Sequence, residues 1–229
     1  MRAQFSPMNQ PTLRNGLLLL AFLISSCLVA QDLILDMRAG ISAFRSETSK
    51  NADFLIEELG QDFSLHLSFP LDNAQWSITG ELGYSHTMAE RDLIRGNNVI
   101  VGIYKTTAIH YFLGAGVRYV FSKDAQNYNL YSGQFLPYLG VSVGGVNFQN
   151  STNRELVPAN GFEISEKMHW GLATQAEAGF TVMLNDQWGL GGYMSWRLGF
   201  SDLWDGIDGL TQYDDWLVRG GISVTYGFD

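Results

Sequence analysis

Apolar and polar side chains alternate with a period of two along most of the chain, the pattern of strands whose two faces meet different surroundings. Eight segments carry it: residues 33–44, 63–69, 76–86, 109–121, 136–148, 170–184, 188–200 and 216–228. In the first, Leu33, Leu35, Met37, Ala39, Ile41 and Ala43 share one face, and Asp36, Arg38, Gly40 and Ser42 the other. In the last, Trp216, Val218, Ile222, Val224, Tyr226 and Phe228 oppose Arg219, Gly221, Ser223, Thr225 and Gly227. The fifth segment is the least regular, and Gly144–Gly145 there predicts a bulge.

Eight such strands fit a sandwich, a soluble barrel or a membrane barrel, and three features choose the last. The connections after the second and sixth strands are short ("PLDN", "NDQ"), whereas those after the first, third, fifth and seventh are long and polar; the fourth, "SKDAQNYNLYSG", is longer than this pattern wants. Short turns at one end and long loops at the other describe an outer-membrane barrel. Aromatic residues sit near the ends of the apolar faces (Trp76 and Tyr84, Tyr111 and Phe121, Trp188 and Phe200, Trp216 and Phe228), where a membrane barrel meets its two water interfaces. The polar face is mostly small residues with isolated charges, which suits the narrow interior of an eight-stranded barrel better than a solvated exterior. The predicted fold is all-β: an eight-stranded antiparallel up-and-down transmembrane β-barrel occupying residues 31–229.

The first thirty residues do not share the alternation. Arg2 and Arg14 precede "GLLLLAFLISSCLVA", a short apolar run before Gln31. This is the pattern of a secretory signal peptide, residues 1–30, with cleavage after Ala30. Two fates are open for Cys27, the single cysteine: removal with the signal, or lipidation at a box formed with Ile24, Ser25 and Ser26. Cleavage after Ala30 leaves no thiol for a disulfide framework and shifts the formal charge from -9 to -11. No basic run exists, so nucleic acid is not an expected partner.

The stretches "HYFLGAGVRYVF", "LPYLGVSVGG" and "GGISVTYGFD" make the chain resemble the eight-stranded outer-membrane β-barrel proteins of the OmpA/OmpX-like family, from Gram-negative envelopes. The resemblance covers residues 31–229 as a pattern. It implies residence in the cell outer membrane as a monomer surrounded by outer-membrane lipid. It also implies that the final strand is read by the barrel-assembly machinery, with Gly220, Val224, Tyr226 and Phe228 matching that signal, although Asp229 follows the terminal aromatic.

Charges on the inward face are the sharpest candidate chemistry. Arg38, Arg118, Arg197 and Arg219 face the same lumen as Asp36, Glu81 and Glu177, and buried charges must pair or be hydrated. If "NDQ" pairs Leu184 with Trp188, Glu177 lies opposite Ser195 and diagonal to Arg197, so a Glu177–Arg197 contact is predicted. Such a network either fills and rigidifies the barrel or lines a narrow ion or small-solute channel, in which Arg197 and Arg219 attract anions. A hydrolase reading uses Ser64 and His66 with Glu81 opposite Ser64, yet alternate polar residues are what any lumen strand shows. The acids Asp202, Asp205, Asp208, Asp214 and Asp215 lack the spacing of a Ca²⁺ loop, and the four histidines are scattered. No catalytic residue, metal site or cofactor is assigned. The function expected is a non-enzymatic outer-membrane protein, structural or surface-interacting through its long loops.

Overall fold

A strand with one lipid-facing side cannot leave its backbone N–H and C=O groups unpaired, so the strands must close on one another. The computed structural model describes residues 33–45, 59–71, 75–95, 99–122, 131–152, 163–164, 168–200, 207–208 and 215–228. Its strands are β1 (Leu33–Arg45), β2 (Leu59–Pro70), β3 (Trp76–Arg95), β4 (Val99–Val120), β5 (Phe135–Thr152), β6 (Glu163–Ile164), β7 (His169–Met183), β8 (Trp188–Gly199), β9 (Ile207–Asp208) and β10 (Trp216–Phe228). Eight of them form a closed antiparallel barrel in the order β1-β2-β3-β4-β5-β7-β8-β10, sealed by β1 against β10. The two-residue strands β6 and β9 pair separately, outside the barrel.

The register fixes the geometry of closure. Partners followed from Leu35 run through Leu67, Gly80, Ala115, Val143, Thr174, Leu198 and Trp216. They return to β1 at Arg45, ten positions above the start. An eight-stranded barrel with that offset has strands tilted roughly 40° and an interior that side chains fill. The inner end carries the tight β7–β8 turn, where Leu184 N donates to Trp188 O at 2.7 Å and Asn185 Oδ1 accepts from Gln187 N and Trp188 N.

Alternation decides which side meets which solvent. Outward residues such as Ile222 (71% exposed), Leu113 (67%) and Met194 (61%) form a predominantly apolar exterior. Soluble monomers rarely expose contiguous apolar patches beyond a few hundred Å². Aromatic pairs bound this belt: Trp76–Tyr119, Tyr119–Phe121 and Trp188–Tyr226 towards the inner end, and Trp196–Trp216 towards the outer.

Several expectations need correction. The connection after the third predicted strand is not a long loop: β3 and β4 continue as a paired hairpin to Arg95 and Val99, beyond the last pairs with β2 (Gln61–His86) and β5 (Thr106–Thr152). The alternation stops near His86 and resumes only at Ile109, and the apolar run of residues 99–104 between them carries no period of two, which concealed the extension. No register shift occurs at Gly144–Gly145, where Gly114 and Leu113 pair in unbroken sequence; among the described strands the register shifts between Leu93 and Ile94. Strand β2 begins at Leu59 rather than Phe63, which brings Asp62 into the barrel. Residues 1–30 with Cys27, and Asp202, Asp205, Asp214 and Asp229, lie outside the described residues.

Candidate functional site

Inward positions of all eight barrel strands converge on one side-chain network. At the inner end Asp36 accepts from Arg118 Nη1 (2.7 Å) and Thr225 Oγ1 (2.7 Å). One layer higher Glu177 receives Arg38 Nη1 through Oε2 (2.8 Å) and Arg118 Nη2 through Oε1 (3.2 Å). Tyr138 and Tyr193 wedge this layer. Arg38 Nη2 donates to Tyr138 Oη (3.0 Å), Arg118 lies 4.3 Å from the Tyr138 ring centre, and Arg38 lies 4.9 Å from that of Tyr193.

The upper charged layer centres on Glu81. Its Oε1 accepts from Arg197 Nη2 (2.9 Å) and Arg219 Nη2 (2.8 Å), and its Oε2 from Gln175 Nε2 (2.6 Å). Gln175 Oε1 turns back to Arg197 Nη2 (2.7 Å) and Arg219 Nη2 (3.0 Å), so one amide ties three charges. Asp62 closes the layer by accepting from Ser85 Oγ (2.6 Å), Tyr193 Oη (2.8 Å) and Arg219 Nη1 (3.3 Å). Four arginines (38, 118, 197, 219) thus meet four carboxylates (Asp36, Asp62, Glu81, Glu177) with no excess of either sign. Isolated ions of this kind would cost several kcal/mol each to bury, and the mutual pairing offsets that cost.

Glycine makes the filling possible. A Cβ on Gly140 would stand 2.9 Å from the Glu177 carboxylate, and one on Gly114 would stand 2.5 Å from the Phe112 ring. Without those two small residues the narrow lumen has no room for the chains that cross it.

Above the charges the lumen turns apolar. Phe44, Phe112, Val146, Phe148, Ala173 and Leu217 form one buried cluster, each at most 3% exposed. Phe112 joins the two regions, with the Arg197 guanidinium carbon 3.7 Å from its ring centre, a cation–π contact.

All seven lumen charges singled out in the sequence lie in this network, but the partners differ from expectation. Glu177 pairs with Arg38 and Arg118 rather than Arg197. Glu177 does stand opposite Ser195, yet Gln175 stands directly opposite Arg197 and holds it, which turns the guanidinium towards Glu81. Arg197 and Arg219 have no side-chain exposure and are held by Glu81 and Gln175, with only Arg197 Nη1 left without an acceptor, so they do not border an open path for anions. The register sets Glu81 opposite His66 and Gly83 opposite Ser64, not Glu81 opposite Ser64. Ser64, His66 and Glu81 are all at most 4% exposed inside the lumen, out of reach of a macromolecular or lipid substrate. No group of metal-ligating side chains occurs among the described residues.

Sequence reasoning missed Asp62, Gln175, Tyr138 and the inward aromatics. Asp62 shares the parity of Ser64 and His66, so extending that alternation by one position would have found it. Phe112 and Phe148 carried no such signal, because an inward apolar side chain breaks the pattern used to define the lumen. The terminal residues matched to the assembly signal lie on β10, with Tyr226 packed 4.7 Å from Trp188 and 4.7 Å from Phe228 between ring centres, and Phe228 paired with Leu33.

A closed eight-stranded barrel with an apolar exterior, two aromatic zones and an ion-paired interior defines the class: an integral β-barrel of the bacterial outer membrane. No family model matches the sequence, and no curated protein matches it. Among solved structures the chain is similar to Neisserial surface protein A, with a TM-score of 0.52 and 10% identity over 86% of this chain and 97% of that one. It also aligns with Ail, the attachment invasion locus protein of Yersinia pestis (TM-score 0.40, 11% identity, 85% of this chain and 98% of that one). A third alignment is with the outer membrane protein OprG from Pseudomonas aeruginosa (TM-score 0.39, 16% identity, 87% and 96%). The first likeness shows the fold alone, and none transfers the role of a residue.

Proposed function

We propose that this outer-membrane barrel is a non-enzymatic, non-conducting protein with a structural or surface-interaction role. The observation that carries the reading is the filled lumen: four arginines and four carboxylates pair across the bore beneath a buried apolar layer. Two cavities lined by described residues are small, about 10 Å³ beside His66, Glu81 and Glu177 and about 50 Å³ beside Asp36, Arg118 and Met183. A channel needs a continuous hydrated path, and these volumes hold only isolated waters. The burial of Ser64 and His66 speaks against catalysis in the same way.

The surface role draws support from the β3–β4 hairpin, which continues past the described ends of its neighbours β2 and β5. The barrel works as a monomer in outer-membrane lipid and is delivered by the barrel-assembly machinery through β10. Two measurements test this reading. Refolded protein in planar bilayers should show no ionic conductance above the lipid baseline. Membrane fractionation should recover a protein whose gel mobility changes on heating. Steady conductance would replace this reading with the narrow channel.

A further inference from the structure

The charges occupy the inner and middle lumen, whereas the buried layer above them is mostly apolar, with His110 and its partner Thr87 set among the rings of Phe44 and Phe148. Side-chain exposure is 7% for Arg118 and Glu177, 3% for Asp36 and zero for Arg38 towards the inner end, and 3% for Glu81 and zero for Arg197, Arg219 and Asp62 higher up. Buried polar atoms without a protein partner run through the whole charged part of the lumen: Ser68 Oγ, Arg118 Nε, Arg38 Nε, Ser142 Oγ and Ser64 Oγ in the inner and middle layers, and Arg197 Nη1 in the upper one. Such groups cost free energy unless water reaches them. Of two cavities lined by described residues, one lies at the inner end beside Asp36 and Arg118, and the other lies between Glu177 and Glu81. The outer end is closed by the cluster around Phe112, whose members have almost no exposure.

We propose that the lumen is a blind chamber: water and small inorganic ions enter its polar part from the inner end, and the Phe112-centred layer closes it towards the cell exterior. The charged network fills the chamber, and the apolar layer is the barrier. An apolar constriction excludes ions because a narrow unwetted passage offers no ligand to replace their hydration. Phe112 suits that position because its ring lies beside Gly114 and Gly144 and is held on its face by Arg197. This inference rests on the non-conducting reading above but can fail separately from it.

The test uses the full chain in lipid nanodiscs, where both barrel ends meet the same solution, with Cys27→Ser as background. One reporter is Thr181→Cys, lining the inner cavity; the other is Ala173→Cys, inside the apolar layer. The probe is the silver ion, and the readout is the thiol remaining for labelling after unfolding. Thr181→Cys should lose its free thiol and Ala173→Cys should keep it. Adding Phe112→Ala should abolish the protection of Ala173→Cys, while adding Glu81→Gln should leave it intact. If Phe112→Ala does not give a heat-modifiable barrel, Phe148→Ala replaces it with the same expectation. Equal reaction of the two reporters in the parent, protection of both, or loss of protection with Glu81→Gln would each overturn the proposal. None of these results requires the parent to conduct, so the functional reading is judged separately by its own conductance.

Discussion

Glu81 offers the most direct test of how the lumen is held together. It bonds Arg197, Arg219 and Gln175 at once, and both arginines have no side-chain exposure. In Glu81→Ala, Arg219 keeps Asp62, Ser195 and Gln175 as acceptors, whereas Arg197 keeps Gln175 alone. Removing one partner of a buried ion pair costs about 3–5 kcal/mol, because the stranded charge has lost its hydration as well as its counter-ion. Glu81→Gln keeps one acceptor oxygen for the two arginines but loses the charge and turns an NH2 donor towards Gln175 Nε2, so the expected cost is about 1.5–3 kcal/mol, the range of a hydrogen bond to a charged group. Combining Glu81→Gln with Arg197→Gln restores neutrality and should be less harmful than the two single costs together, by about 0.5–3 kcal/mol. Equilibrium urea unfolding in lipid vesicles, followed by tryptophan fluorescence, reads all three. A Glu81→Ala barrel within about 1 kcal/mol of the parent, or strictly additive behaviour in the double variant, would refute the account of a tightly coupled network.

Two further outcomes follow from the exterior and from the seam. Leu113, 67% exposed on the lipid face, should cost about 2–4 kcal/mol when replaced by Arg if it lies near the bilayer midplane, and much less in short-chain detergent that can deform around it. Unfolding of Leu113→Arg in the two media compares them directly, and equal cost in both would argue against a lipid-facing site. Gly221 pairs with Gly40 across the β1–β10 closure, and a Cβ there would collide with the backbone of Ala39 and Gly40. Gly221→Val should therefore leave most of the protein in the form that shows no heat-dependent gel shift, while Ile222→Val beside it should fold like the parent.

Much of the architecture was written locally. Period-two alternation set the strand count, the lipid-facing side and the aromatic zones, because every residue of a two-faced strand records its solvent. It also set which charges point inward, since parity alone decides that. The extent of β3 and β4 was hidden, because the stretch from Thr87 to Ala108 joins a charged run to a continuous apolar run and leaves no alternation to read.

What only the tertiary structure decided is who meets whom. Parity placed Glu177, Arg197, Arg38 and Arg118 in one lumen, but partnership depends on strand tilt and on the ten-position offset at closure, which are properties of the whole ring. That offset carries Glu177 on β7 to Arg38 on β1 and Arg118 on β4, far away in sequence, in place of the nearer Arg197. The apolar layer at the outer end was likewise invisible, since Phe44, Phe112, Phe148 and Leu217 lie on different strands and become a cluster only when the sheet closes. Alternation reports the surroundings of each residue one at a time; contact across a lumen belongs to the closed barrel.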